Sequence, residues 1–536
     1  MRKLFRQSSA CIIAFCLSFS GTSVSAANET AQVTAFKQAV AESISTNSGI
    51  AEFYRSNGYQ PVWTGNGPEF AARRAALFDA VSRADVHGLP AGKYRADALL
   101  QQMRDANSVR DLGLVEAELS RVFVIFARDL QSGLLDPSRV DTGIAREIPR
   151  LSPADQLSGL VASDATAFFR SIAPQSRQYL ALLKHKIALE ALMEQGGWGL
   201  DVPVAKMEPG DSGPNVVALR NRLVAMGYLR PTASPRYDDA LREAVQKFQA
   251  AHGLETDGIA GQGTLTELNR PVSERLQAVI VALERERWMP RERGERHVLV
   301  NQTDFSASIV DQGHVSFQTR AVIGKNTSDR RSPEFSDQME HMVINPSWYV
   351  PRSIVTKEYL PKLRANPHAV SHIEITDRQG RRVNRGAVNF SQFSSRSFPF
   401  SMRQPPGKSN ALGLVKFMFP NKHNVYMHDT PQKDLFSREV RDFSHGCIRL
   451  ADPFGFAYAI LARQEENPKD YFHRVLDTGR ETTVRLKKPI PVHLIYRTAF
   501  IGPKGEVEYR RDIYGRDQKI WEELNKAGVV LPSVQG

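Results

Sequence analysis

Ser444-His445-Gly446-Cys447-Ile448-Arg449, preceded by His428 nineteen positions before the thiol, is the stretch from which the rest of this chain is read. A cysteine outside a disulfide framework, with histidines at hand, is the minimum equipment for nucleophilic acyl transfer. An unassisted thiol has a pKa of about 8.5, so little of it is thiolate at neutral pH unless a histidine takes the proton or a positive field favours the anion. His428 and His445 are both candidates for that base. Gly446 lets the backbone approach a bound carbonyl, and the amides of Gly446 and Cys447 are candidate donors to a developing oxyanion. Arg449 is a fixed cation suited to a carboxylate, and in an extended segment it faces the same side as Cys447. Asp452-Pro453 reads as the N-cap and first turn of a helix continued by Phe454, Ala457, Tyr458 and Leu461, which puts the thiol between a strand and a helix start.

Ser444-His445-Gly446-Cys447 with Arg449 two places on, and a histidine fifteen residues upstream of Ser444, resembles the L,D-transpeptidases of bacterial cell walls. The resemblance extends to Asn345-Pro346-Ser347-Trp348-Tyr349-Val350-Pro351, to Asn410-Ala411-Leu412-Gly413 and to His428-Asp429-Thr430-Pro431, as in the large periplasmic members. It implies Cys447 as nucleophile and His428 as base, with Ser444, His445, Gly446 and Arg449 lining the substrate and oxyanion site. It also implies peptidoglycan stem peptides as donor and acceptor, other cell-wall synthesis proteins as further partners, and a 3→3 cross-link made through a thioester. Such chemistry needs no cofactor. No metal is expected either, because His423, His428, His445 and Cys447 lack the paired short spacings usual for zinc. His423 is off the pattern and reads as an ordinary side chain. Two rivals belong to different classes: a carboxypeptidase or hydrolase that uses the same residues but lets water resolve the thioester, and a non-catalytic wall-binding scaffold, against which Cys447 and His428 both argue.

The N-terminus carries Arg2, Lys3 and Arg6, an apolar run from Cys11 to Phe19 and small residues up to Ala26, the pattern of a secretory signal peptide over residues 1–26 and of a periplasmic protein. The apolar run is too short to span a bilayer. Its removal takes away two of the three cysteines, leaving Cys447 with no intramolecular thiol partner. The chain has 70 Lys and Arg against 58 Asp and Glu; without the three signal cations the balance is 67 against 58, or +9. For an exported chain that sign suits an anionic cell wall and gives no reason to expect nucleic acid as a partner.

The remaining sequence predicts a multidomain α+β protein. Residues 30–196 read as a helical scaffold domain: Leu119, Val122, Phe123, Phe126 and Leu130 share one helix face that ends at Gly133, and Tyr179, Leu182, Leu183 and Ile187 form a second. Phe53, Tyr54 and Trp63 read as core in preference to a sugar platform. Residues 205–270, with Val216, Leu219, Leu223, Phe248, Gln249, Gly253 and Asp257-Gly258, resemble a small three-helix peptidoglycan-binding domain. Ser273 is expected to cap an amphipathic linker helix over 273–289. From 295 to 500 the period becomes that of strands, predicting a mainly β catalytic domain. Residues 352–407 break the pattern and read as an inserted lid with a short helix at Lys357–Leu363. Val492 to Phe500 and Val507 to Tyr509 are expected as strands extending the catalytic sheet, the latter within a C-terminal extension at 501–536.

Overall fold

The computed structural model describes residues 23–148 and 150–532. Most of the expected signal peptide therefore lies outside the described residues. The chain divides into two compact units. One comprises residues up to Ser82 with Ala91–Ala127 and Leu151–Arg170; the other comprises Arg83–Pro90, Arg128–Arg150 and everything from Ser171 onward.

The first unit is helical, with helices Ser48–Ser56, Pro68–Ser82, Ala96–Asp105 and Pro153–Val161 and the first part of helix Val109–Ser132. Asn47 and Ser152 cap two of them, each side-chain oxygen accepting from the backbone N–H three residues on. Phe53, Tyr54 and Trp63 are core residues, and Trp63 packs on Phe123. The fully buried Glu116 is satisfied by the Tyr54 hydroxyl and the backbone N–H groups of Val62, Trp63 and Thr64. A buried carboxylate is tolerated only with such a set of donors. The face from Leu119 to Leu130 is buried as expected, and its helix stops at Ser132 before Gly133, whose φ of +92° suits glycine.

In the second unit, helix Arg177–Glu194 is rotated relative to the sequence expectation. Ile187 is 49% exposed, whereas Lys186 is buried and its Nζ donates to Glu190 at 2.6 Å. The packed face runs through Tyr179, Leu182, Lys186, Leu189 and Met193 and meets the linker helix, where Arg287 donates to the Tyr179 hydroxyl. Three helices, Pro214–Ala225, Asp239–Ala251 and Gln262–Leu268, enclose a small core of their own. Gln249 ties it together, donating to Asp257, Ile259 and Thr264 and accepting from Gly258 N–H.

The linker helix spans Val272–Arg287 and differs from expectation in two respects. It begins one residue before Ser273, at N-cap Pro271, with no side-chain cap. From Val279 onward it is also buried on all sides instead of amphipathic, with Glu284, Arg285, Glu286 and Arg287 all enclosed. The charges survive because each is paired: Arg285 with Glu334 and Asp517, Arg287 with Glu284, and Glu286 with Arg293 and Arg497. Glu334, Arg497 and Asp517 lie far away in sequence, so the helix pattern alone could not reveal those pairings.

The β-rich domain follows. Its strands are β1 (Arg296–Asn301), β2 (Ser306–Asp311), β3 (His314–Gly324) and β4 (Phe335–Ile344), then β5 (Trp348–Tyr349), β6 (Glu374–Thr376) and β7 (Ser401–Gln404). They continue with β8 (Val415–Met418), β9 (Met427–His428), β10 (Asp442–Ser444), β11 (Ile448–Leu450), β12 (Thr482–Ile495), β13 (Ala499–Ile501) and β14 (Val507–Tyr509). The main sheet runs β10-β3-β11-β9-β8-β4-β12-β1-β2, and the long β3 also pairs with β2, closing the sheet on itself. Val300, Ile309, Met342, Phe417, Met427 and Val492 fill the interior, and helix Pro453–Leu461 contributes Phe456 and Ile460.

Residues from Val350 to Gly407 fold around a separate core of Leu360, Leu363, Ile373, Phe390, Phe398 and Met402, with β5, β7 and β6 as a three-stranded sheet. The expected helix there is a π turn, Val355–Tyr359, running into helix Leu360–Ala365. The C-terminal strands depart from expectation. β12 ends at Ile495, and β13 and β14 form a hairpin of their own instead of extending the main sheet. Arg497 and Thr498 break the strand because their backbone bonds go to Asn301 Oδ1 and Arg510 N–H.

Candidate active site

Cys447 sits one residue before β11, so the thiol opens a short strand that leads through Asp452 into helix Pro453–Leu461. Asp452 caps that helix by accepting from Gly455 N–H at 2.8 Å. β11 lies parallel to β9 with Arg449 directly opposite His428, which brings the two elements carrying the thiol and the imidazole side by side. The sequence gap between them is spent on the 3₁₀ turn Lys433–Ser437 and β10.

His428 is buried, and its Nδ1 donates to the Asp429 carbonyl, which leaves Nε2 as the acceptor. Asp429 is held in turn: its carboxylate accepts from Lys433 Nζ, Thr430 N–H and Leu414 N–H. Gly413 is required at this contact, because its φ is +62° and a Cβ there would fall 2.2 Å from Asp429 Oδ2. Two motif segments distant in sequence, Asn410–Gly413 and His428–Pro431, thus meet to fix the orientation of one imidazole.

Burial, reinforced by the charge of Arg449, pushes His428 down to about 3. Burial pushes the Cys447 thiol up to about 11, against the pull of Tyr426 and Arg449 toward thiolate. The resting pair is therefore neutral thiol and neutral imidazole. The sulfur contacts the Tyr426 hydroxyl, which also receives a hydrogen bond from Trp348, and lies 3.8 Å from the Asn424 carbonyl. Arg449 donates to the Gln432 side chain at 2.6 Å, and burial lowers its own pKa while Cys447 opposes the shift.

The loop carrying Cys447 is fixed by side chains acting on its backbone. Ser444 Oγ donates to the Cys447 carbonyl at 2.6 Å and accepts from Gly446 N–H at 3.0 Å. Ser332 Oγ donates to the Gly446 carbonyl at 2.8 Å. Gly446 has a φ of +114°, a conformation that a side chain would strain. Its N–H is engaged by Ser444, so in this conformation it is not presented to an oxyanion as the sequence suggested; a local hydroxyl competes for the amide. Ser444 accordingly shapes the loop. His445, 33% exposed, donates to Glu358 of the inserted segment at 2.6 Å. His423 packs on Phe335, away from this cluster.

Sequence reasoning missed Tyr426, Glu358 and Arg330. Tyr426 was findable, since it lies two residues before His428 and alternate residues of an extended segment share a face. Glu358 and Arg330 carry no local signal, because only the packing of the insert brings them to the loop.

Residues 295–490 match the family described as L,D-transpeptidase catalytic domain, residues 212–268 the "Putative peptidoglycan binding domain", and residues 48–185 the "Scaffold domain". A Haemophilus influenzae protein named "Putative L,D-transpeptidase" is 31% identical over 225 residues, covering 42% of this chain and 45% of its own length. The chain thus spans less than half of that relative. Crystal structures of L,D-transpeptidases from Xylanimonas cellulosilytica and Stackebrandtia nassauensis are 16% and 14% identical, covering 55% and 54% of this chain and 98% and 94% of their own. Their TM-scores of 0.17 and 0.21 are too low to bear on the fold. Among the described residues no helix is long and apolar enough to cross a membrane. The chain thus carries a domain that matches the L,D-transpeptidase catalytic domain, joined to regions that match a scaffold domain and a peptidoglycan-binding domain.

Proposed function

We propose that this protein is a periplasmic enzyme that forms 3→3 cross-links in peptidoglycan by acyl transfer through a thioester on Cys447. The observation that carries the reading is the pairing of β11 with β9, which sets Arg449 opposite His428 beside the only cysteine left once the signal is removed. The Cys447 proton passes to His428 Nε2 as sulfur attacks the carbonyl of the third residue of a tetrapeptide stem. The carbonyl becomes an oxyanion facing the Cys447 N–H, and the bond to the terminal D-alanine breaks as the leaving amine takes the proton from His428. An amine of a neighbouring stem then attacks the thioester, losing a proton to His428, and the sulfur leaves and is reprotonated. Arg449 and the Tyr426 hydroxyl favour the thiolate against the burial that opposes it.

The test is incubation with purified disaccharide tetrapeptide and mass analysis. Cross-linked dimer lacking one D-alanine is expected; disaccharide tripeptide alone would identify a carboxypeptidase. Cys447→Ala should abolish both products and covalent capture of a carbapenem, while leaving thermal unfolding unchanged. A Cys447→Ala protein still acylated at the normal rate would refute the reading.

A further inference from the structure

The Glu358 carboxylate, contributed by the inserted segment, lies against the nucleophile loop. One of its oxygens accepts from His445 Nε2 at 2.6 Å and from Arg330 Nη2 at 2.9 Å. Lys357, the preceding residue, makes a parallel contact to Asp329 at 2.7 Å. The strip carrying Arg330 lines the loop itself: the Arg330 carbonyl lies 3.7 Å from where a Cβ on Gly446 would stand, and Ser332 holds the Gly446 carbonyl. His445 is two residues from Cys447, so their Cα atoms lie within roughly 7 Å of each other. Arg330, His445 and Glu358 are each about one-third exposed, with side-chain values of 30%, 33% and 31%, so a solute can reach the cluster. Arg449 is less available, with one guanidinium nitrogen already given to Gln432.

We infer that Arg330 and His445 form a carboxylate-binding site beside Cys447, which Glu358 fills in the unliganded chain and vacates when a carboxylate of the incoming substrate takes its place. This deepens the reading of the site proposed above and rests on it for the identity of the substrate. A guanidinium and an imidazole N–H converging on one oxygen supply the charge-assisted hydrogen bonds that a carboxylate selects. A stem tetrapeptide carries such groups near the scissile bond: the terminal carboxylate of the leaving residue and, where the third residue is a diacid, its side-chain carboxylate. An internal competitor lowers apparent affinity by the fraction of time it occupies the site. Arg330 is then a specificity-determining residue, and Glu358 couples the insert to substrate arrival.

The test uses the full-length protein and two small alkylating reagents, anionic iodoacetate and neutral iodoacetamide, whose rate ratio at Cys447 reports the local field whatever the natural substrate. Glu358→Gln removes the charge and keeps the shape, and should raise the iodoacetate-to-iodoacetamide ratio roughly three- to tenfold at low salt. Adding Arg330→Gln should return the ratio to the parent value. An unchanged ratio in Glu358→Gln, or an increase that survives Arg330→Gln, would overturn the proposal. A substrate arm identifies the carboxylate. Glu358→Gln should lower KM several-fold for the tetrapeptide with kcat little changed, and the gain should vanish for whichever analogue, C-terminal amide or side-chain amide, lacks the recognised group. If the parent protein releases no D-alanine from the tetrapeptide, the transpeptidase reading fails, whereas the alkylation ratio still decides the site.

Discussion

Raising the pH tests the resting state of Cys447 directly, because its surroundings place the thiol at about 11 while His428 on the neighbouring strand stays neutral down to about 3. With a pKa of about 11, roughly one thiol in a thousand is ionised at pH 8, against about one in four for an unperturbed thiol near 8.5. Iodoacetamide alkylation of Cys447 should therefore climb about tenfold per pH unit from pH 7 to pH 10, without the plateau near pH 9 that an ordinary thiol shows. Ultraviolet difference absorbance of thiolate, read against Cys447→Ala, should be absent at pH 7 and should grow only in the alkaline range. A thiolate band at pH 7, or a plateau by pH 8, would show that a resting thiolate–imidazolium pair exists and that the neutral pair read from the burial is wrong. The expected result also constrains catalysis: proton transfer to His428 must accompany attack, since sulfur is not ionised beforehand.

His428→Ala should slow acylation by a carbapenem by about 10²- to 10⁴-fold, the usual worth of a positioned base, and a smaller loss than that of His445→Ala in the same assay would reassign the base. Gly413→Ala should destabilise the β-rich domain by roughly 2–4 kcal/mol, since it forces a Cβ into the Asp429 carboxylate at a positive φ and breaks the bond to Leu414 N–H. Unchanged denaturant unfolding in that variant would contradict the contact. Acid stability should fall between pH 6.5 and 4. There His87, His185 and His493, held down to about 4, and His428, held down to about 3, stay neutral in the folded chain but protonate when it unfolds. Asp517, raised to about 6, opposes them by taking a proton in the folded state, but the histidines outnumber it, so unfolding should take up protons net in that window. Thermal midpoints measured across it should drop steeply, and a flat profile would refute the sign.

Read alone, the residues of this chain told the order of the matched domains and which side chains to look for at the candidate site. Cys447, His428, the strand-and-turn period of the β-rich domain and the three short helices with Gln249 and Asp257-Gly258 are all local signals, carried by residue type and by spacing within one or two turns. The face from Leu119 to Leu130 was legible for the same reason: a buried helix stripe repeats every three to four residues. Whatever depended on partners remote in sequence was not legible. The linker helix reads as amphipathic because Glu284, Arg285, Glu286 and Arg287 look solvated, and the remote Glu334, Arg497 and Asp517 help to make the burial of Arg285 and Glu286 tolerable. In helix Arg177–Glu194 the sequence puts Ile187 on the packed face with Tyr179, Leu182 and Leu183, because apolar character is the only local cue. The packed structure instead buries Lys186 with a carboxylate to share its charge. Gly446 offered an oxyanion donor until the loop closed and the Ser444 hydroxyl claimed its N–H. The pKa of the thiol and the arrival of Glu358 at His445 were likewise decided in three dimensions, because desolvation and ion pairing are set by what surrounds a group and not by its neighbours along the chain.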